Sequence, residues 1–359
     1  MSWNQNKVTT KLGIEFPIFQ APMAGGITTA ELVSETSNCG GLGNLGAGYL
    51  NPKEIRKEIE KIKGMTNKPF GINLFVPERE LSIHPGQVEK MEEILSRFHN
   101  VLQLEDQKSD FIYSDQETEE LFYQQIEEVL RGRVPICSFT FGIPDPGIIK
   151  ELKNNGCTVI GTATNVEEAV ELEAVGMDLI VVQGVEAGGH RGTFHSEESG
   201  FVGLMALLPQ IADHIRVPII AAGGIMDARG IAASLVLGAE AVQLGTAFLC
   251  CNESGAHPVY KETILQATED QTRLTKAFSG KLARGINNQF ISDMDQEHKH
   301  ILPYPIQNQL TNRLRRQAAN LNNNEFMSLW AGQGLRLAKE SSVKNLMKEL
   351  VEEVQRIIY

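Results

Sequence analysis

Chemistry has one conspicuous place to happen in this chain. In VVQGVEAGGHRGTF (181–194), His190 follows a β-branched run and is flanked by Gly188, Gly189 and Gly192. Residues without Cβ let such a loop wrap a planar ligand while the imidazole projects inward. A histidine with an ordinary pKa near about 6.5 accepts a proton at neutral pH. A loop histidine satisfied only by hydrogen bonds reads equally well from these residues. Two further glycine clusters follow. AAGGIMDARG sets Gly223 and Gly224 just before a helix start, and QLGT sets Gly245 and Thr246 at a strand end. Backbone N–H groups at such positions cradle phosphate. These residues therefore read as an anion site in preference to tight turns alone.

Other chemistries find less support. Gly41, Gly43 and Gly46 match G-x-G-x-x-G, but a helix-like segment precedes them where a dinucleotide fingerprint needs a strand. His298 and His300 form an HxH pair in DQEHKH, a solvated loop by composition. There is no H-E-x-x-H and no Cys/His cluster, so no metal is expected. No G-x-S-x-G marks a serine hydrolase elbow. The five cysteines (Cys39, Cys137, Cys157, Cys250, Cys251) are scattered, and none forms CxxC. They read as buried thiols in a reducing compartment.

With 33 Lys+Arg against 45 Asp+Glu, the net charge of −12 disfavours nucleic acid and anionic membranes as partners. No apolar run reaches the roughly 18 residues of a spanning helix. The polar start MSWNQNKVTT is no secretory signal. A cytoplasmic protein is expected.

The elements that would position these residues alternate regularly. Strands are expected in PIFQAPM (17–23), GGLGNLGAG (40–48), PFGINLFV (69–76), VPICSFTFG (134–142), CTVIGTAT (157–164), MDLIVVQG (177–184), VPIIAAGG (217–224) and AVQLGTAF (241–248). Most lack alternation, the pattern of parallel strands buried on both faces. The glycines of 40–48 make it the poorest strand, closer to a loop. Amphipathic stretches such as PKEIRKEIEKIKG and DARGIAASLVLG lie between them. Eight alternations predict an α/β protein, a (β/α)8 barrel spanning 1–249, with its site at the C-terminal strand ends. Residues 78–133 are expected to be a long helical crossover. Residues 250–335, without a βα period, are expected to cap the mouth as a smaller domain inserted after the eighth strand. Residues 336–359 should form a helix packing back on the barrel.

Several motifs in order resemble the nitronate monooxygenase family, formerly 2-nitropropane dioxygenases. They are FPIFQAPMAGGITTAELVSETSNCGGLGNLGAGYLNP, GINLFVP, QGVEAGGHRGTF, AAGGIMDARGIAASLVLGAEAVQLGTAFL and WAGQG, covering about 7–335. The resemblance implies an FMN-dependent barrel that oxidises alkyl nitronates, propionate 3-nitronate among them, with O2 and without a nicotinamide. It implies flavin contacts at Ala21, Pro22, Met23, Asn73, Gln183, Gly188, Gly189, Ala222, Gly223, Gly224, Gln243, Leu244, Gly245 and Thr246. His190 matches the family histidine that takes the α-proton of a neutral nitroalkane. A carboxylate on the substrate would need a cation or donor, for which Lys281, Arg284, Tyr304 and Arg191 are expected. Phe139, Phe141 and Trp330 are expected as apolar wall or core. The rival resemblance is to flavin-dependent enoyl-acyl carrier protein reductases, which share the EAGGH and AAGGI segments but use NAD(P)H. HRGTF, GAGYLNP and WAGQG lean toward the monooxygenase, and a homodimer is compatible with either.

Overall fold

The computed structural model describes residues 2–78, 81, 84, 86–105, 114–195 and 200–359. Eight short parallel strands form its centre: β1 (Ile18–Gln20), β2 (Gly43–Gly46), β3 (Phe70–Phe75), β4 (Ile136–Thr140), β5 (Thr158–Ala163), β6 (Leu179–Gln183), β8 (Ile219–Ala222) and β9 (Ala241–Leu244). β7 (Gly189–His190) lies outside this sheet, in the loop after β6. Pairing runs β1-β9-β8-β6-β5-β4-β3-β2, and a parallel bridge between Phe19 and Leu42 joins the two ends. The sheet is a closed (β/α)8-type barrel.

Its interior is filled by side chains. Phe19, Leu42, Ile136, Ile160, Val181 and Ile220 meet inside, and Val8, Leu12 and Ile14 join them. The helix Lys7–Leu12 that supplies two of these starts at a capping box on Asn6, so its end costs no unmet N–H. The alternate strand residues face outward onto the helices in a larger cluster, including Ile72, Val159, Ile180 and Leu244. The helix Ala228–Val236 begins at Asp227 and ends before Gly238 at φ +109°, as the glycine in the sequence suggests. The helix Val343–Ile358 buries Val343, Leu346, Met347 and Leu350, and Met347 and Val354 share the outer cluster with the barrel helices.

The glycine-rich segment at 40–48 contains a true strand, which its composition obscured. Glycine is needed at Gly43 because a Cβ there would stand 2.0 Å from the carbonyl oxygen of Val33. The helix Ala30–Asn38 thus lies directly on the strand. Side chains complete the seam that β1 is too short to pair: Gln20 Oε1 accepts from Asn44 N at 3.0 Å, and Asn44 Nδ2 donates to Gln20 O at 2.8 Å. The ninth strand is also shorter than its apolar run, because the chain turns at Gly245 into the helix Thr246–Leu249.

A second apolar cluster sits over the C-terminal strand ends. Phe278, Phe290, Phe326 and Leu329 build it from residues after β9. Met91, Ile94, Leu95 and Phe98 also enter it, so the helix Gln87–Ser96 packs there, with the Phe98 ring 5.1 Å from that of Phe290. The segment expected as one crossover is therefore two helices with different neighbours. The other, Asp115–Arg131, lies on the barrel, where Arg56 and Arg131 both reach its buried Glu128. β10 (Thr272–Thr275) and β11 (Ala283–Ile286) form an antiparallel ribbon, and β7 pairs with β11, placing His190 opposite Ala283.

Replacing Gly43 with alanine should destabilise the fold by about 1–3 kcal/mol, since helix and strand must part to admit one methyl. Urea unfolding of the variant should show a lower midpoint at unchanged slope.

Candidate functional site

The barrel mouth opens into a cavity of about 880 Å3 beneath the second cluster. Every strand end contributes to its wall, as the geometry of such barrels requires. Of the residues expected from sequence, Ala21, Pro22, Met23, Asn73, Gln183, Gly188, Gly189, His190, Ala222, Gly223, Gly224, Gln243, Gly245, Thr246 and Tyr304 line it. Leu244 does not. It points the other way along β9, fully buried against the helices, because neighbours on a strand face opposite sides.

One side of the cavity is backbone. Gly223 has φ +129° and Gly224 φ +67°, conformations that a side chain would strain. Among the described residues, the N–H groups of Gly223, Gly224 and Gly245 donate to no backbone acceptor. Thr246 begins a helix, so its own N–H lacks an intrahelical partner as well. Its Oγ1 accepts from Gly332 N at 3.0 Å, which leaves the hydroxyl proton to donate elsewhere. Such a set of donors suits an anion.

The other side carries His190. Gln183 fixes the loop from the barrel: its Nε2 donates to His190 O at 3.0 Å and its Oε1 accepts from Gly192 N at 2.7 Å. β11 fixes it from above. The imidazole Nε2 stands 2.9 Å from Ser279 Oγ, which also lies 3.0 Å from Lys281 O. Whether Oγ accepts from a protonated Nε2 or donates to an unprotonated one, the contact holds the imidazole in one orientation. Aromatic rings surround the imidazole: Trp330 at 5.4 Å, Phe141 at 5.7 Å and Tyr304 at 6.3 Å between centroids. Phe141 and Trp330 are thus cavity walls, whereas Phe139 is fully buried in the barrel core, its ring 6.3 Å from Phe122.

The cations expected for a substrate carboxylate are mostly elsewhere. Arg284 is buried, donating through Nε to Val185 O at 2.9 Å and through Nη1 to Thr272 Oγ1 at 3.2 Å. Lys281 is buried with its amine 5.0 Å from the Phe141 ring centre, outside the cavity wall. Arg191 donates to Gly200 O at 2.6 Å and lies beside the Phe201 ring. None of the three lines the cavity, and the two arginines tie loops together. The wall instead presents Arg315 and Arg316, together with Tyr49 and the packed rings of Phe75 and Phe141. Sequence reasoning missed Arg315, Tyr49 and Ser279, since nothing in their local pattern separates them from solvated or packing residues.

Burial keeps all five thiols from reacting as thiolates at neutral pH. It pushes Cys39 and Cys250 up to about 11 and Cys157 and Cys251 up to about 12, and Cys137 is raised too. Among the described residues there is no group of His, Cys, Asp and Glu that could hold a metal, and no helix is long and apolar enough to cross a membrane.

A fully buried carboxylate anchors the far end of the histidine loop. Glu168 accepts from Thr164 N at 2.6 Å, Thr164 Oγ1 at 2.8 Å, Thr193 Oγ1 at 2.5 Å and Phe194 N at 2.9 Å. Burial alone would raise its pKa, but these donors together hold it below the ordinary glutamate value. Between the two values the unfolded chain binds the extra proton, so this stability is present above about pH 4.3 and is lost as pH falls through the folded pKa. Glu168→Gln should lower stability at pH 7 by about 2 kcal/mol and flatten the acid limb, read from unfolding midpoints between pH 7 and pH 4.

The comparisons with known proteins agree with this geometry. The family model described as nitronate monooxygenase matches residues 5–353. A probable nitronate monooxygenase of Staphylococcus haemolyticus is 48% identical over 359 residues, covering 99% of each chain. Among solved structures, nitroalkane oxidase from Streptomyces ansochromogenes superposes with a TM-score of 0.89 at 37% identity, covering 98% of this chain and 99% of that one. FabK from Thermotoga maritima gives 0.77 at 30% identity, covering 99% and 97%. The barrel, the histidine loop and these likenesses together establish that the chain belongs to the nitronate monooxygenase family, a group of oxidoreductases.

Proposed function

We propose that the protein oxidises alkyl nitronates, propionate 3-nitronate among them, with O2 and without a nicotinamide, using FMN in the mouth cavity. The observation that carries this reading is the pairing of an anion cradle and a positioned histidine across one cavity. The residues fit the cofactor. Unpartnered N–H groups at Gly223, Gly224 and Gly245, with the Thr246 hydroxyl, suit its phosphate. Asn73 and Gln183 offer polar contacts, and Ala21, Pro22 and Met23 offer an apolar edge for a flat ring system. FMN, when bound, supplies acceptance of electrons from the nitronate and their delivery to O2.

The protein's own contributions are orientation, proton handling and exclusion of water. His190 takes the α-proton when a neutral nitroalkane enters, and Ser279 holds the ring in place for it. A nitronate has already lost that proton, so His190 then serves to place and stabilise the anion. Trp330, Phe141, Phe75 and Tyr304 form a wall that limits water around the reacting end. The buried thiols suit a reducing, cytoplasmic setting.

The test is anaerobic mixing of the purified protein with propionate 3-nitronate, and separately with NADH and NADPH, while following flavin absorbance. Bleaching by the nitronate alone, reversed by air, is expected. Reduction by a nicotinamide alone would overturn the reading in favour of an enoyl-thioester reductase. His190→Asn should retain flavin and lose activity on neutral nitroalkanes about 100-fold or more, with a much smaller loss on nitronates. Equal losses would refute the base. Gly224→Val, whose Cβ would meet that of Glu186 at 3.1 Å in a left-handed backbone, should release FMN on dialysis.

A further inference from the structure

We infer that Arg315 forms a second anion position in the cavity, which receives a carboxylate carried on the substrate at the end remote from the nitronate. The inference deepens the proposed nitronate chemistry and rests on it. Arg315 projects from the helix Asn312–Asn320 into the cavity wall. Its Nη2 donates to Asn308 O at 2.6 Å and to Asn308 Oδ1 at 2.9 Å. Its Nε is sealed from solvent and has no hydrogen-bond partner. No carboxylate compensates the charge among the described residues: its electrostatic neighbours are the phenols of Tyr49 and Tyr304 and the like-charged Arg316. Of the acids on the cavity wall, Glu54 is engaged in capping its own helix through Asn51, and Glu78 makes no ion pair with Arg315.

An unpaired guanidinium with an unmet donor is costly unless something anionic arrives. With Nη2 held by Asn308 and Nε sealed, Nη1 is the donor left to meet a carboxylate, and the two phenols, which share a hydrogen bond, add donor capacity beside it. Tyr304 also sets the length of the ligand. Its ring lies 6.3 Å from that of His190, while its hydroxyl meets Tyr49 in the field of Arg315. A short acid spanning one tyrosine therefore bridges base and cation. The arginines expected from sequence, Arg191 and Arg284, do not line this cavity.

Two measurements on the FMN-loaded protein test this. The first compares turnover of propionate 3-nitronate with that of propyl-1-nitronate, which lacks the carboxylate. The second measures calorimetric binding of succinate against butyrate, neither of which can be oxidised here. The wild type should prefer the member of each pair that carries the second anionic group, propionate 3-nitronate and succinate. Arg315→Gln should raise KM for propionate 3-nitronate by about 10- to 100-fold and erase both preferences, with Arg315→Lys recovering part of each. A wild type that treats succinate and butyrate alike would overturn the assignment. So would equal losses on both nitronates in Arg315→Gln, which would mark the residue as a brace for Asn308. If the wild type oxidises neither nitronate yet binds succinate through Arg315, the anion position stands and the nitronate chemistry falls.

Discussion

One carboxamide holds the working parts of this molecule in register. Gln183 ends the sixth barrel strand and clasps the histidine loop with both of its side-chain atoms, donating to His190 O and accepting from Gly192 N. The barrel is rigid because its strands are buried on both faces, and this rigidity passes to the loop through two hydrogen bonds. From the opposite side, β11 pairs with Gly189 and His190. The histidine is therefore fixed between barrel and overlying cluster, and neither could move alone without breaking backbone pairing. Gly188 shows how closely the two are joined: a Cβ there would lie 2.4 Å from Gly332 N. Gly188 of EAGGH and Gly332 of WAGQG meet backbone to backbone, so neither position has room for a side chain.

Charge is arranged against the molecule's overall sign. A chain of net −12 would repel an anionic substrate at long range. The cavity answers with fixed N–H dipoles on one wall and with Arg315 and Arg316 on the other. These act within a few ångströms and in partial exclusion of water, where they are screened least. The remaining buried cations are structural. Arg191 and Arg284 each lie under loops that would otherwise leave carbonyls unmet, and burial lowers the pKa of each against the pull of Glu168 or Glu186. A guanidinium stays charged even so, which suits it to this role.

How much of this was legible in the sequence depends on which physics wrote it. Strands with both faces buried announce themselves as unbroken apolar runs, and all eight lay within the expected segments. The shortened ends follow from turns that apolar composition hides, as where Gly245 starts a helix inside AVQLGTAF. β2 was obscured because close helix approach at Gly43, a tertiary demand, selected the residue with least strand preference. Barrel topology made the cavity wall readable, because the C-terminal strand ends were known once the strands were. Side-chain direction was not readable: Leu244 and Gln243 differ by one position and face opposite ways. The cations were least readable of all. Lys281, Arg284 and Arg315 are alike in sequence, and only packing decides which of them meets a cavity.

Phe141 shows the same principle in a single residue. It adopts φ +76°, a left-handed conformation that costs a non-glycine residue of its size about 1–3 kcal/mol. The strain is sustained by what the ring touches: Phe75 at 4.7 Å, Tyr304 at 5.6 Å and His190 at 5.7 Å, with the Lys281 amine 5.0 Å from its face. In an ordinary extended conformation the next strand residue would point to the opposite face of the sheet, away from these partners. The left-handed turn at the end of β4 instead directs the ring over the mouth, between the histidine and the tyrosine that faces Arg315. Lys281 then completes the arrangement from behind, its charge against the ring face and its carbonyl beside the Ser279 hydroxyl that fixes the imidazole. The strained backbone and the orientation of the imidazole are thus held by the same short segment, so Lys281, expected to bind substrate, stands behind the cavity wall instead of on it.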